Sequence, residues 1–303
     1  MTQLTFVQVP CLADNYAVIA HSPQSGETLL IDAPDAKAIE AALDQRGWRL
    51  SHLFVTHHHT DHTGGVAALK EKYGCKVTGP EGEADRIPQI DHAVSEKSAV
   101  TFAGMEVRII ETPGHTLGHI AYVIPGAKVA FTGDTLFSLG CGRIFEGDAQ
   151  SMWSALEKLM TLPDDTQIYC GHEYTTSNGR FALSVEPENE ALQARMRDVE
   201  ILRGQGKPTL PTTLAAEKAT NPFLRPGSPA IRARLGLHLR GPFAAARHVA
   251  LEPGHRLAAG AGGIHDDELS PGDLVVSEIM ADPSAASDAV AEWIEVYNGA
   301  SET

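Results

Sequence analysis

The chain has 303 residues, 43% of them hydrophobic, a length that favours two domains over one and a composition that can fill a core. Its 24 Lys and Arg against 39 Asp and Glu give a formal net charge of -15 at pH 7. This charge argues against broad contact with nucleic acid phosphates or an anionic membrane surface, so we predict neither as a partner.

Strands and helices are predicted to alternate over the first part of the chain. Short β-rich segments broken by Asp, Asn, Pro, Ser and Gly are typical of strands, whereas Ile39, Ala42 and Leu43 recur at helical spacing. In chain order we predict strands at residues 4–10, 15–21 and 28–34, a helix at 35–47, a strand at 52–57, a helix at 64–74 and a strand at 75–80.

The same alternation continues to about residue 175. Asp148 is a suitable N-cap for the next helix. We predict strands at residues 106–114, 119–126 and 128–137, a helix at 148–160 and a strand at 166–174. Sheet and helix segments in this order predict a layered α/β domain.

Three regions follow from this pattern: an α/β domain at residues 1–175, a smaller helical domain at 176–240 and a tail at 241–303. The helical region has a break near Pro187. Residues 258–273 are rich in Gly, Ala and Asp, which predicts a flexible linker inside the tail.

The cysteines and the first residues indicate the compartment. Cys11, Cys75, Cys141 and Cys170 stand singly with no CxxC, so neither a zinc knuckle nor a disulfide framework is predicted. The start MTQLTFVQVP lacks a basic region followed by a long apolar run, and no stretch approaches the roughly 20 apolar residues that span a bilayer. We therefore expect a cytoplasmic protein, and a monomer.

The segment VTHHHTDHTGG, residues 55–65, carries the densest chemical signal. It lies where a predicted strand gives way to a helix, and imidazole and carboxylate are both good ligands for a divalent first-row metal. The alternative is a surface histidine cluster or a tag, but tags lie at termini and lack an interleaved Asp. The candidate ligands here are His57, His59, Asp61 and His62.

Three further corners at the ends of predicted strands add candidates, and α/β folds usually collect their sites at such ends. A lone loop histidine is more often hydrogen-bonded to protein than a ligand, but several such corners in one chain favour a metal site. More ligands are present than one tetrahedral ion accepts, so we predict two divalent ions per chain, zinc first, with iron or manganese as alternatives. The added candidates are His115, Asp134 and His172.

The set THHHTDH, GHT, GDT and GHE resembles the metallo-β-lactamase superfamily of hydrolases. The resemblance implies an αββα sandwich with the site at one edge. It leaves His58 without a ligand role. It implies a first metal on His57, His59 and His115, a second on Asp61, His62 and His172, and Asp134 as the bridge between them.

Within that superfamily the chain is similar to the hydroxyacylglutathione hydrolases, or glyoxalase II, from residue 1 to about 237. Five segments outside the metal ligands carry this similarity: PCLADNY, LFSLGCGRIFEG, CGHEYT, VEPEN and NPFLR. The family implies hydrolysis of S-D-lactoylglutathione to D-lactate and glutathione, the second step of methylglyoxal detoxification. Residues 1–175 would then form the catalytic domain and 176–240 the substrate-binding domain.

The expected chemistry is attack on a thioester carbonyl by a metal-bridging hydroxide. Two metals lower the pKa of a shared water from about 15.7 toward 7, and one of them polarises the carbonyl. Asp61 is expected to orient the nucleophile and accept its proton, and Asp134 to bridge the metals. These two are the predicted catalytic residues.

The resemblance also implies substrate-binding residues, with departures from the family pattern. Arg143 stands where the family often has Lys, and Phe145 where Tyr is common, so the charge is kept and one hydroxyl is lost. Tyr174 completes this set, although packing alone is the alternative for both aromatics. Arg247 matches the first member of an Arg-x-x-Lys carboxylate clamp, but Ala250 stands in the Lys position.

The tail departs from this family. Residues 273–299 are similar to the opening of a lamin-tail-like β-sandwich, an interaction module, and far short of the roughly 100 residues that a sandwich needs. Its segments LVVSEIM and EWIEVYN are candidate paired strands. A truncated fusion and a shifted reading frame after residue 237 both explain the tail, and its partner is unknown.

Two other functions remain open from the sequence. One is a different enzyme on the same scaffold, such as a lactonase, a β-lactam hydrolase or a sulfur dioxygenase with one iron. The other is a binding protein with a structural metal site and a tail that recruits a partner. The number and type of bound metal would separate these from a thioester hydrolase, because hydrolysis needs the paired site.

Overall fold

A computed structural model describes residues 3–235 and the backbone of two later strands, at 273–277 and 295–299. Within residues 3–235 the chain forms two six-stranded sheets that pack face to face, with helices on both outer surfaces. The predicted αββα sandwich is confirmed. Among the described residues, no helix combines the length and the apolar character needed to cross a bilayer.

The first sheet is built from the first six strands of the chain. They are β1 (Thr5–Cys11), β2 (Asn15–His21), β3 (Thr28–Ile31), β4 (His52–Phe54), β5 (Lys76–Pro80) and β6 (His92–Val94). They lie in sequential order, antiparallel from β1 to β3 and parallel from β3 to β6. The parallel half directs the carboxyl ends of four neighbouring strands, β3 to β6, to one edge.

The second sheet and a small hairpin use the next eight strands. These are β7 (Val100–Phe102), β8 (Met105–Glu111), β9 (Ile120–Ile124), β10 (Val129–Gly133), β11 (Leu136–Phe137), β12 (Gly140–Cys141), β13 (Gln167–Cys170) and β14 (Thr212–Thr213). The sheet order is β14-β13-β10-β9-β8-β7, while β11 and β12 pair separately. The single strand predicted at 128–137 is wrong, because a turn after Gly133 divides it.

The central core lies between the two sheets. Along β2 the side chains alternate, so that Val18 joins this core and Ile19 joins the outer one. Phe54 of the first sheet stacks on Tyr122 of the second, with ring centroids 4.9 Å apart. Both rings are fully buried, so the contact fixes one sheet against the other.

Helices cover the two outer faces. They are α1 (Ala36–Asp44), α2 (Thr60–Thr63), α3 (Val66–Tyr73) and α4 (Ala149–Met160). Ile39 of α1 and Leu69 of α3 pack on the first sheet, and Leu156 of α4 packs on the second. The predicted cap of α4 is confirmed, since Asp148 Oδ1 accepts a hydrogen bond from the backbone N of Ser151 at 2.7 Å.

From Thr175 to Leu235 the chain is mainly helical, as predicted. The helices are α5 (Thr175–Val185), α6 (Glu190–Gly204), α7 (Leu214–Thr220) and α8 (Pro229–Arg234). Ala182 of α5 and Met196 of α6 share a small core with Leu139. The predicted break near Pro187 is confirmed as the gap between α5 and α6.

Two short strands are described in the tail. β15 (Asp273–Ser277) and β16 (Glu295–Gly299) pair antiparallel, with Val275 opposite Tyr297, which confirms the predicted pairing. The predicted linker at 258–273 lies almost wholly outside the described residues.

Candidate metal centre

Histidine and aspartate side chains meet at one edge of the sandwich, where strands of both sheets end. His57 follows β4, His115 follows β8, Asp134 follows β10 and His172 follows β13. The prediction that these candidate ligands lie past the carboxyl ends of strands is therefore confirmed. Residues that are far apart in the chain come together because both sheets end at this edge.

The first cluster consists of His57, His59 and His115. His59 Nδ1 lies 3.1 Å from His57 Nε2 and 3.0 Å from His115 Nε2. Ligands at about 2.0–2.1 Å from a tetrahedral zinc ion lie about 3.3 Å from one another. The three nitrogens therefore have the spacing of a set of metal ligands.

Hydrogen bonds on the far side of the rings decide which nitrogens carry protons. His115 Nδ1 donates to the carbonyl oxygen of Arg143 at 2.7 Å. Thr56 Oγ1 donates to Asp32 Oδ2 at 2.9 Å, so it accepts from His57 Nδ1, which lies 3.0 Å away. In both histidines Nε2 is left with its lone pair toward the cluster.

The second cluster consists of Asp61, His62 and His172. His172 Nε2 lies 3.3 Å from His62 Nε2 and 3.4 Å from Asp61 Oδ2. His62 Nδ1 contacts Asp32 Oδ2 at 2.9 Å and His172 Nδ1 contacts Asp14 Oδ1 at 2.8 Å. Here each ring has a carboxylate behind it, and Nε2 again faces the cluster.

Asp134 lies between the two clusters. Its Oδ2 is 3.4 Å from His115 Nε2 and 3.2 Å from His172 Nε2, while its Oδ1 is 3.4 Å from His62 Nε2. The side chain is buried, and Oδ1 has no hydrogen-bond partner among residues 3–235. A buried carboxylate oxygen without a donor is costly, and a cation at this position would satisfy it.

Burial keeps the first cluster neutral. It lowers the pKa of His57 well below the usual value, lowers that of His59 to about 4, and also lowers that of His115. Neutral imidazoles are the form that binds a metal.

Around Asp134 the neighbouring charges oppose the effect of burial on the pKa values. Burial acts to raise the pKa of the Asp134 carboxyl, but His172 and His62 outweigh it and hold this pKa well below its usual value. Burial acts to lower the pKa of His62, but Asp134 and Asp32 raise it to about 10. Both shifts express one attraction between positive charge and a buried carboxylate, and a divalent cation supplies such charge equally well. The donor set therefore fits a divalent-metal site.

Sequence reasoning did not assign the residues that support the ligands. The backbone N of Asp134 donates to His119 Nε2 at 3.1 Å, and His119 Nδ1 lies 2.7 Å from Thr112 Oγ1. Asp32, which contacts both Thr56 and His62, was also missed. His119 could have been found in the sequence, because it is a second histidine only four residues after His115. No motif or residue spacing indicates a role for Asp32.

Glycines allow the close approach of the loops. An added Cβ at Gly133 would lie 2.6 Å from His119 Nε2, and one at Gly171 would lie 2.4 Å from Asp134 Oδ1 and 2.7 Å from His62 Cε1. The chain immediately after β13 therefore reaches the candidate metal centre only because residue 171 has no side chain.

Three of the predicted substrate residues, Arg143, Phe145 and Tyr174, lie beside the two clusters. Tyr174 stacks on His172 with centroids 4.8 Å apart, and the Phe145 ring lies 5.2 Å from the His115 ring. The Arg143 guanidinium lies 5.6 Å from the centroid of Phe145, which is 58% exposed. Arg247 lies outside the described residues.

Two family models match the chain in succession. The metallo-beta-lactamase superfamily model matches residues 10–172, and the model described as hydroxyacylglutathione hydrolase C-terminus matches residues 173–249. The first match contains all seven candidate ligands. The second starts immediately after His172.

Curated relatives match most of the chain. A hydroxyacylglutathione hydrolase of Brucella ovis is 54% identical over 235 residues, which cover 78% of this chain and 91% of the relative. One from Brucella canis is also 54% identical and is covered to 90%.

Solved structures share the fold. ETHE1 from Myxococcus xanthus superposes with a TM-score of 0.56 at 26% identity, covering 78% of this chain and 93% of that one. The BLEG-1 B3 metallo-beta-lactamase gives 0.57 at 21% identity, covering 73% and 99%. At such low identity the second likeness shows the fold alone.

We expect Gly171→Ala to lower the metal content of the purified chain, because the new methyl group would displace Asp134 from His62. Gly204→Ala is the matched control, since among the described residues nothing lies within 4 Å of a Cβ added there. Elemental analysis of both variants after equal exposure to zinc measures the effect. Equal metal content in the two variants would show that the close approach at Gly171 is not needed for metal binding.

Proposed function

Because the chain belongs to the hydroxyacylglutathione hydrolase family of the metallo-beta-lactamase superfamily, we propose that it hydrolyses S-(2-hydroxyacyl)glutathione thioesters, S-D-lactoylglutathione first, to the hydroxy acid and glutathione. The observation that carries this proposal is the position of Asp134, whose two oxygens face both ligand clusters. A paired site of this kind suits hydrolysis of an activated acyl group.

We propose two divalent ions per chain, zinc in the first instance, with iron or manganese as alternatives. His57, His59 and His115 would hold one ion, the second cluster would hold the other, and Asp134 would contact both. The neutral imidazoles of the first cluster and the unpartnered Asp134 Oδ1 support this assignment. When bound, such ions supply an activated water and an electrophile for the thioester carbonyl.

Asp61 is the proposed acceptor of the proton that the attacking water loses. Its side chain is 40% exposed, more open than the buried Asp134 or the second-cluster histidines, so solvent reaches it. Asn15 Nδ2 donates to Asp61 Oδ2 at 3.1 Å and holds the carboxylate in place. In the reaction a carbon–oxygen bond forms at the carbonyl, the carbon–sulfur bond breaks, and glutathione leaves as its thiolate.

Arg143, Phe145 and Tyr174 are the proposed contacts for the glutathione part. Burial raises the pKa of Tyr174 to about 12, so its phenol is a neutral hydrogen-bond donor near pH 7. Arg143 offers a positive charge in a chain of net charge -15, which a substrate with carboxylates requires. Phe145 gives an apolar wall beside His115 in place of a hydroxyl.

We also propose residues 1–175 as the catalytic domain and 176–240 as the substrate-binding domain. The seven candidate ligands all precede α5, which begins at Thr175, and this supports the division. A cytoplasmic location is part of the proposal, supported by four cysteines that are each buried as a free thiol.

The activity is tested with S-D-lactoylglutathione and the purified chain. We expect thioester cleavage that is lost on treatment with a chelator and restored by added zinc, because the water needs a metal for activation near pH 7. Loss of absorbance at the thioester band measures it. A fully metallated chain that leaves the thioester intact would refute the proposed function.

We expect Arg143→Ala to raise KM about fivefold to tenfold, equivalent to about 1 kcal/mol, with a smaller change in kcat. The variant removes the guanidinium but keeps the backbone carbonyl that His115 contacts. Steady-state kinetics with the same substrate measures it, and Arg143→Lys, which keeps the charge, is the control. An unchanged KM in the alanine variant would remove Arg143 from the substrate site.

A further inference from the structure

His58 lies between two candidate ligands, yet its side chain turns away from both clusters. Its Nδ1 contacts Glu83 Oε2 at 2.8 Å, and its backbone N donates to the same oxygen at 2.6 Å. The segment from His57 to His59 is therefore attached by its middle residue to a carboxylate outside the metal centre.

The other oxygen of Glu83 contacts the loop that carries His115. Glu83 Oε1 accepts from the backbone N of Gly118 at 3.0 Å and from Thr116 Oγ1. Glu83 belongs to a 3₁₀ helix, Glu81–Arg86, and is 2% exposed. One buried carboxylate thus joins the two loops that supply the whole first cluster.

The packing around Glu83 leaves little freedom for another arrangement. An added Cβ at Gly118 would lie 2.5 Å from Glu83 Cγ and 3.0 Å from the carbonyl carbon of Gly82. The loop after His115 can therefore lie against the 3₁₀ helix only with glycine at position 118.

The alternative role for Glu83 is that of a metal ligand, because His58, Glu83 and Glu146 have ligand atoms within 4.8 Å of one another. However, both oxygens of Glu83 already accept hydrogen bonds, and Glu146 Oε1 accepts from Arg86 at 2.7 Å. A cation would have to displace these donors and approach the Arg86 charge. The arrangement favours a positioning role.

We propose that Glu83 is a positioning residue for the metal at the first cluster. By holding His58 with one oxygen and the Thr116–Gly118 segment with the other, its carboxylate sets the separation of His59 and His115. This inference rests on the proposed function only in taking the first cluster as a metal site.

Glutamine at position 83 has the same size but cannot replace the carboxylate. All four groups around it are used as donors: two backbone N–H groups, one ring N–H and one hydroxyl. The amide NH₂ of glutamine would face a backbone N–H in either orientation, so one loop would lose its acceptor.

The test compares wild-type chain with Glu83→Gln, Glu83→Asp and, as control, Glu81→Gln, which alters an exposed glutamate of the same 3₁₀ helix. Zinc affinity is measured by competition with a chromophoric chelator, and thermal unfolding of the chelator-treated chains is measured in parallel. Thioester turnover is recorded at low and at saturating zinc.

For Glu83→Gln we expect zinc affinity at one site to fall about 10- to 100-fold, with turnover largely restored by excess zinc. Glu83→Asp keeps the charge but is one methylene shorter, so it should also lose affinity. Glu81→Gln should match wild type. Wild-type zinc affinity in both Glu83 variants, with or without a lower melting temperature, would overturn the positioning role.

The failure of this inference differs from the failure of the proposed function. If the wild-type chain binds zinc and cleaves the thioester while the Glu83 variants bind zinc equally well, only the role of Glu83 is lost. If the wild-type chain binds zinc without cleaving the thioester, the proposed function is refuted. The comparison of zinc affinities still tests the role of Glu83. If the wild-type chain binds none of zinc, iron and manganese, both proposals are refuted.

Discussion

The arrangement of the candidate ligands depends on one buried carboxylate. Asp134 presents one oxygen to His62 and the other to His115 and His172, so a single side chain faces both ligand clusters. Its Oδ1 has no hydrogen-bond donor in residues 3–235, although nearby buried carboxylates such as Asp32 and Glu83 are well supplied. Positive charge is therefore required where the two clusters meet, and the proposed pair of divalent cations would provide it.

The sandwich fold produces this arrangement through its strand ends. Both sheets end at one edge, and the loops there have to approach closely enough for imidazoles from different sheets to share a cation. Gly133 and Gly171 permit that approach, since a methyl group at either position would collide with His119 or with Asp134. Carboxylates behind the rings, such as Asp14 behind His172, then fix which nitrogen faces the metal.

Much of this was predictable from the sequence. The histidines and aspartates cluster in short polar corners after β-rich segments, and the family resemblance, confirmed by the comparisons, assigned them to two sets. The αββα layers were predicted as well. The domain boundaries and the role of each ligand stay predictions.

What could not be predicted depends on contacts between distant segments. Glu83 meets Gly118 and Asp32 meets His62 only after the sheets have packed, and neither acid belongs to a recognisable motif. The prediction of a single strand at 128–137 was wrong for a similar reason. Gly133 adopts a left-handed backbone with φ of 48°, and the chain turns there to place Asp134, which an apolar pattern does not reveal.

The most direct test is the metal content of the chain with and without Asp134. We expect two equivalents of zinc in the wild-type chain, about one or fewer in Asp134→Ala, and loss of thioester cleavage together with the missing ion. An Asp134→Ala chain that keeps the wild-type metal content and turns over at the wild-type rate would refute the role of Asp134 between the two clusters.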